Sequence, residues 1–289
     1  MLFKIVPDVM RTPEPVALGA SGTVLEAVRQ MHLHDVGAVL VVEGDTLIGI
    51  FTERDVAYRV VAAGLDIAAT HLREVMTPDP FSIQADALAT AALAQFAEHN
   101  IRHLPVYEGK SLIGVVALRD IQRVANKQFA QELDHMSVEI VADCQISFGT
   151  PQARKLITLP SQASVRQAVE AMKSRDTGAV LVEDDDVLRG IFTERDVIKH
   201  IATQGIDPET TPIARVMTVD PSIIRPGENC DVVTDLMQEG QFRHLPIVEN
   251  GRAVGILSIR DLYRFYRVSL EAQLNAAMIE RTRQMIAHE

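Results

Sequence analysis

At 289 residues and 47% hydrophobic side chains, the chain has material for about two domains with cores of their own, which excludes an intrinsically disordered polymer. A net charge of −11 and a pI near 5.3, with no basic stripe, exclude a nucleic-acid surface, so any anionic ligand must be held by local basic groups. Two cysteines without metal-ligand spacing, Cys144 and Cys230, and the lack of a leader or a membrane-length apolar run read as a cytoplasmic protein with no membrane partner.

In chain order, residues 16–18 read as a short strand. Ser21-Gly22-Thr23 starts a helix whose Val24, Val28 and Met31 share one face, with Gly37 ending it. Residues 38–42 form an apolar strand, Glu43-Gly44-Asp45 a turn and 47–51 the return strand, after which a helix runs towards Ala63-Gly64. The order is strand, helix, strand, strand, helix. A second unit follows, with a helix over 85–100 (Leu93 and Phe96 inward), hairpin strands 103–107 and 112–116, and a helix carried on through Phe129 and Leu133. Residues 137–154, broken by Gly149-Thr150-Pro151, read as a connector. The third unit repeats the first, with Val165, Val169 and Met172 on its helix face and strands over 179–182 and 187–192. The intervening Glu183-Asp184-Asp185-Asp186 lacks the spaced ligands of a calcium loop and reads as a solvated turn. The fourth unit runs into a long amphipathic helix, 267–289, with Leu270, Leu274, Met278 and Met285 on one face. That face either packs on its own chain or makes a dimer contact, and a homodimer is expected on this ground.

The chain is organised around a repeat. Gly49-Ile50-Phe51-Thr52-Glu53-Arg54-Asp55 recurs letter for letter from Gly190 to Asp196, an offset of 141 that also superposes Arg102-His103-Leu104-Pro105 on Arg243-His244-Leu245-Pro246. Looser copies, Gly114-Val115-Val116-Ala117-Leu118-Arg119-Asp120 and Gly255-Ile256-Leu257-Ser258-Ile259-Arg260-Asp261, each begin 65 residues after a strict one. This gives two pairs, 1–136 (repeats near 6–64 and 72–126) and 155–266 (repeats near 155–205 and 212–266). Each copy reads as a buried strand turning straight into a helix, with Thr52 as N-cap and Asp55 in the first turn. Capping does not require the Arg found before Asp in every copy. The helix dipole disfavours a cation there, so that Arg is aimed at something anionic.

Four units of this order, closing on Gly-apolar-apolar-Thr/Ser-x-Arg-Asp, resemble the cystathionine-β-synthase (CBS) domain family, two repeats of which form a Bateman module, from about Val6 to Tyr266. The resemblance implies a mixed α/β (α+β) fold of four CBS repeats in two tandem pairs. It also implies a regulatory protein that binds an adenosine nucleotide (AMP, ADP or ATP; in some members NAD or S-adenosylmethionine) in clefts between paired repeats and signals to a partner the sequence does not identify. By position, Asp55, Asp120, Asp196 and Asp261 would bond ribose hydroxyls, Thr52, Thr193 and Ser258 would contact phosphate, and Arg54, Arg119, Arg195 and Arg260 would add charge. Arg102, His103, Arg243 and His244 would face phosphate, while the aligned Gly37-Ala38 and Gly178-Ala179 leave room for a flat base. One copy departs from the pattern: Ala117 stands where the others carry a hydroxyl, so the Asp120 corner loses a phosphate contact and a helix cap. The Asp261 corner, with Ser258, Arg260, Arg243 and His244 and with Gly178-Ala179 across from it, has the fullest complement.

No dinucleotide fingerprint, Walker loop, nucleophile elbow or His-Glu-x-x-His occurs, so neither a catalytic residue nor a catalytic cofactor is expected. His32 and His34 point apart on a helix and make no metal site. The competing reading is a scaffold whose clefts are vestigial.

Overall fold

The computed structural model describes residues 3–10, 15–121, 123–124, 156–240, 242–259 and 261. The connector 137–154, the helix expected over 267–289 and Arg260 lie outside the described residues. The described residues fall into two compact units. The first takes in those of Met1–Ala142, Ile157–Val182 and Gly190–Thr218, and the second those of Asp143–Leu156, Glu183–Arg189 and Val219–Glu289.

In the first unit, strand β1 (Ala17–Gly19) leads into helix α1 (Val24–Leu33). Thr23 caps that helix: its hydroxyl accepts from Glu26 N, and the Glu26 carboxylate takes Thr23 N at 2.7 Å. The helix stops at Leu33, and Asp35 just beyond it takes the left-handed φ of 49°, so Asp35 terminates it and not Gly37. Strands β2 (Ala38–Glu43) and β3 (Thr46–Thr52) form the antiparallel hairpin, and β1 pairs with β2 in parallel. Helix α2 (Glu53–Asp55) starts where β3 ends and continues as a π-helical turn, Val56–Val61. The second repeat follows suit with β5 (Ile83–Gln84), α4 (Ala89–Glu98), β6 (His103–Glu108) and β7 (Ser111–Ala117).

Between these repeats the chain exchanges arms. Short helix α3 (Leu72–Val75) and strand β4 (Thr77–Pro78) precede β5 in sequence but finish the first repeat: β4 pairs with β3, and Leu72 is fully buried in the first repeat's core. Conversely, residues 3–10, expected at the head of the first repeat, pack in the second. Ile5 N donates to Ala87 O at 2.9 Å and Ala89 N to Phe3 O at 2.7 Å, and Ile5 and Val9 share a core with Phe96, Leu104 and Val116. Each repeat is therefore completed by chain from outside its own segment, which ties the pair together.

The third repeat copies the first: β8 (Thr158–Leu159), α5 (Val165–Ser174) capped by Ser164, β9 (Ala179–Asp184), β10 (Val187–Thr193), α6 (Glu194–Gln204) and β11 (Thr218–Val219) in a sheet of order β11-β10-β9-β8. The acidic cluster is the hairpin tip, with Asp185 and Asp186 both at positive φ. Helix α1 packs on α6, and α5 packs on the Val56–Val61 turn. One core, including Met31, Phe51, Val60, Met172, Phe192 and Ile201, consequently joins the first and third repeats. The second unit holds α7 (Cys230–Glu239) and the hairpin β12 (His244–Glu249) with β13 (Arg252–Ser258), around Ile224, Val233, Leu245 and Leu257.

The glycine that opens the motif has a steric cause. In the first, second and fourth repeats it lies at a bulge where the hairpin register shifts, opposite Val41, Val106 and Ile247. At Gly190 a Cβ would stand 2.6 Å from Thr218 O, on the neighbouring strand β11, and 2.7 Å from Sδ of Met217 just before it. At Gly255 it would meet only the movable Ile247 side chain, at 2.9 Å. Gly190→Ala should thus lower the melting temperature by the equivalent of about 1–3 kcal/mol, and Gly255→Ala by distinctly less, as read by thermal unfolding.

Candidate functional site

Each motif places its aspartate by the same device. The Oδ2 of Asp55 accepts from Thr52 N at 2.9 Å, that of Asp120 from Ala117 N at 2.9 Å, that of Asp196 from Thr193 N at 2.8 Å and that of Asp261 from Ser258 N at 3.1 Å. The hydroxyls of Thr52, Thr193 and Ser258 also donate to that oxygen, at 2.7 Å and 2.8 Å for the two threonines. The Thr and Ser hydroxyls in turn accept from the aspartate's own backbone N–H, completing reciprocal capping boxes. At Ala117 the half made by the hydroxyl is missing, yet the backbone half survives and Asp120 is oriented like its counterparts.

Strand pairing brings a second group to three of these corners. Ala38 lies directly opposite Thr52, His103 opposite Ala117, and His244 opposite Ser258. The basic pairs Arg102-His103 and Arg243-His244 therefore sit at the heads of the strands facing the motif, as does the small Ala179 at the head of β9. The room beside Gly37 is taken by the imidazole of His103, whose Nε2 would be 3.0 Å from a Cβ at that position. The flat group there is a histidine.

The anion that Arg54 and Arg195 face is protein. Arg54 Nε lies 3.4 Å from Glu194 Oε1, its Nη1 is 3.3 Å from Asp176 Oδ1, and its guanidinium carbon is 5.6 Å from the Tyr58 ring centroid. Arg195 returns the contact, its Nε 3.8 Å from Glu53 Oε1. Glu53 and Glu194 are equivalent by the 141-residue offset, as are Arg54 and Arg195, so the identical motifs clasp each other reciprocally about a pseudo-twofold between the first and third repeats. Arg102 of the second repeat joins in, its Nη2 donating to Glu194 Oε2 at 2.6 Å. Burial opposes the charge on Arg102, but Glu194 against it more than compensates and its pKa ends raised. Asn100 adds a bond to Asp176 at 3.2 Å, and the Tyr58 hydroxyl donates to Thr177 O at 2.7 Å. Burial, with the nearby Glu194 charge, pushes the Tyr58 hydroxyl well up.

Sequence reasoning missed Glu53, Glu194, Asp176 and Tyr58. A signal was present for the glutamates: the strict copies carry Glu between Thr and Arg, while the looser ones carry Leu118 and Ile259. Accordingly Arg119 has no such carboxylate facing it and, among the described residues, makes no ion pair. Among the described residues no group of three or more His, Cys, Asp or Glu could hold a metal, and no helix is long and apolar enough to cross a membrane.

With the fold and these corners in view, the chain can be set beside known proteins. The CBS domain family profile matches residues 6–62, 72–127, 152–203 and 213–268, four repeats in two tandem pairs, and the chain belongs to that family. CBS domain-containing protein CBSCBSPB1 of Arabidopsis thaliana is 26% identical over 282 residues, covering 86% of this chain and 51% of its own. CBS domain-containing protein YhcV of Bacillus subtilis is 34% identical over 134 residues, covering 46% of this chain and 94% of its own. The chain spans about half the length of the plant relatives it matches. Among solved structures, protein MJ1225 of Methanocaldococcus jannaschii shares the fold, with a TM-score of 0.73, 16% identity, and coverage of 91% of this chain and all of the other.

Two tests follow from this geometry. Glu194, 2% exposed, serves both Arg54 and Arg102, so Glu194→Ala, which leaves two guanidinium groups facing no carboxylate there, should destabilise by about 3–5 kcal/mol, measured by thermal unfolding. Burial, ahead of the opposing Thr52 and Thr193 bonds, raises the carboxyls of Asp55 and Asp196 above their ordinary 3.8. In that window the folded state holds protons the unfolded chain has released. Relative to a D55N/D196N variant, the native protein should therefore gain melting temperature as pH falls through the raised values and level off below 3.8.

Proposed function

We propose that this protein is a regulatory sensor that holds an adenosine nucleotide, AMP, ADP or ATP, in clefts between its paired CBS repeats and passes the occupancy on to a partner protein. The observation that carries this reading is the fourfold fixing of an aspartate through Oδ2 at a strand-to-helix corner. A carboxylate locked through one oxygen is pre-oriented to accept a hydroxyl on the other wherever no side chain of the protein already holds it, so little ordering cost remains when a sugar diol arrives. Phosphate then falls to His103, Arg243, His244 and Arg119, and to Arg260, which lies outside the described residues. Signalling requires only that ligand favour one arrangement of the repeats over another, since an equilibrium shifts by no more than the differential affinity. The role is regulatory, not catalytic; a homodimer joined through the 267–289 segment and a cytoplasmic setting belong to the same proposal.

One observation favours a second reading. Arg54, Arg102 and Arg195 are already engaged by carboxylates of the chain, as a scaffold with vestigial clefts would have them. A thermal-shift panel of AMP, ADP, ATP, NAD and S-adenosylmethionine separates the readings. A true ligand at 100 times its Kd should stabilise by about 2.7 kcal/mol and raise the melting temperature in step with its concentration. A flat response to all five leaves the scaffold, and consumption of the ligand would make the protein an enzyme.

A further inference from the structure

The two identical motifs do not present identical carboxylates. One helical turn after Asp55 stands Arg59, whose Nε is 3.2 Å from Asp55 Oδ1. The same guanidinium is pinned from behind, its Nη1 donating to Val75 O at 3.0 Å and to Met76 O at 2.6 Å. With Oδ2 held by Thr52, both oxygens of Asp55 are engaged, and its side chain is only 10% exposed. The 141-residue offset puts His200 where Arg59 stands. Asp196 keeps the cap on Oδ2, but its Oδ1 has no hydrogen bond or ion pair among the described residues, and His200 Nδ1 is buried without a partner. An imidazole is too short to span from the carboxylate to the backbone carbonyls that Arg59 bridges, so the tether is absent from the third repeat.

Resting on the nucleotide-sensor reading, we propose that the residue one turn past the motif aspartate decides which corner takes a ligand. Arg59 closes the Asp55 corner as an internal cation, while His200 leaves the Asp196 corner open to the vicinal diol of an adenosine nucleotide. The strict repeats thus form one closed and one open site from the same seven letters. Arg59 is a specificity-determining residue of the first repeat, and the open oxygen of Asp196 is the acceptor.

Isothermal calorimetry of the full chain with AMP tests this. D55N should leave stoichiometry and affinity unchanged, and D196N should remove one site or weaken it about tenfold or more, the loss expected for a charge-assisted bond. R59H, which installs the third repeat's residue in the first, should add a site. R59K keeps a cation beside Asp55 while giving up the fork that holds the carbonyls, and should add none. Melting curves without ligand identify any variant that fails to fold. An AMP stoichiometry and affinity that D196N leaves unchanged, or that fall with D55N, would overturn the gate and leave the sensor reading standing. No AMP site in the native protein would overturn both.

Discussion

The fold of the first three repeats turns on Glu194. It is a buried carboxylate at the start of α6, yet it is met by guanidinium groups from two other repeats, Arg54 of the first and Arg102 of the second. Taking such charges out of water costs several kcal/mol per ion, and a well-packed apolar replacement is often as stable, so net stability alone does not explain the choice. Register does. Helices α1, α5, α6 and the Val56–Val61 turn meet through small and branched apolar residues that could slide past one another at little cost. The Glu–Arg pairs allow one alignment, because any shift strands a buried charge. The satisfaction is incomplete, since Arg54 Nη2 is buried without a hydrogen bond in this network.

This network changes the meaning of the repeated motif. A letter-for-letter recurrence invites the view that two identical sites bind two identical ligands. Here the identity serves the interface: a reciprocal clasp about a pseudo-twofold needs Glu and Arg on both sides, and the looser copies carry Leu118 and Ile259 in place of Glu. What all four copies share is narrower, namely the backbone-capped aspartate. The part common to every repeat is therefore the capped corner, and the part restricted to two repeats holds the protein together.

The features legible in the sequence were those governed by local physics. Hairpins, the Thr52 cap and the inward faces of α1 and α5 follow from short-range pattern and were read at nearly their observed bounds. The α1 terminus was misplaced because an aspartate, Asp35, adopts the left-handed conformation that Gly37 advertises more loudly. The exchanged arms were not legible. By position in the chain, residues 3–10 and 77–78 fall to whichever repeat is adjacent in sequence, and only tertiary pairing assigns them to the other. The target of Arg54 was half legible. The unfavourable dipole position correctly implied an anion, but sequence has no means of telling a glutamate 140 residues away from a phosphate.

The corners themselves illustrate how little is needed to make equal motifs unequal. A cap that uses one carboxylate oxygen leaves the other oxygen with one vacancy, and whichever group lies within reach fills it. At Asp55 that group is a long, forked side chain anchored on two carbonyls, so its entropy was lost in folding and its hold on Oδ1 costs nothing further. At Asp196 the corresponding side chain is a short ring that reaches neither the carbonyls nor, as a hydrogen-bond partner, the carboxylate. What holds the second oxygen is accordingly set outside the motif. Two repeats with the same letters from Gly to Asp can differ in function through the first residue that the helix brings round to the same face.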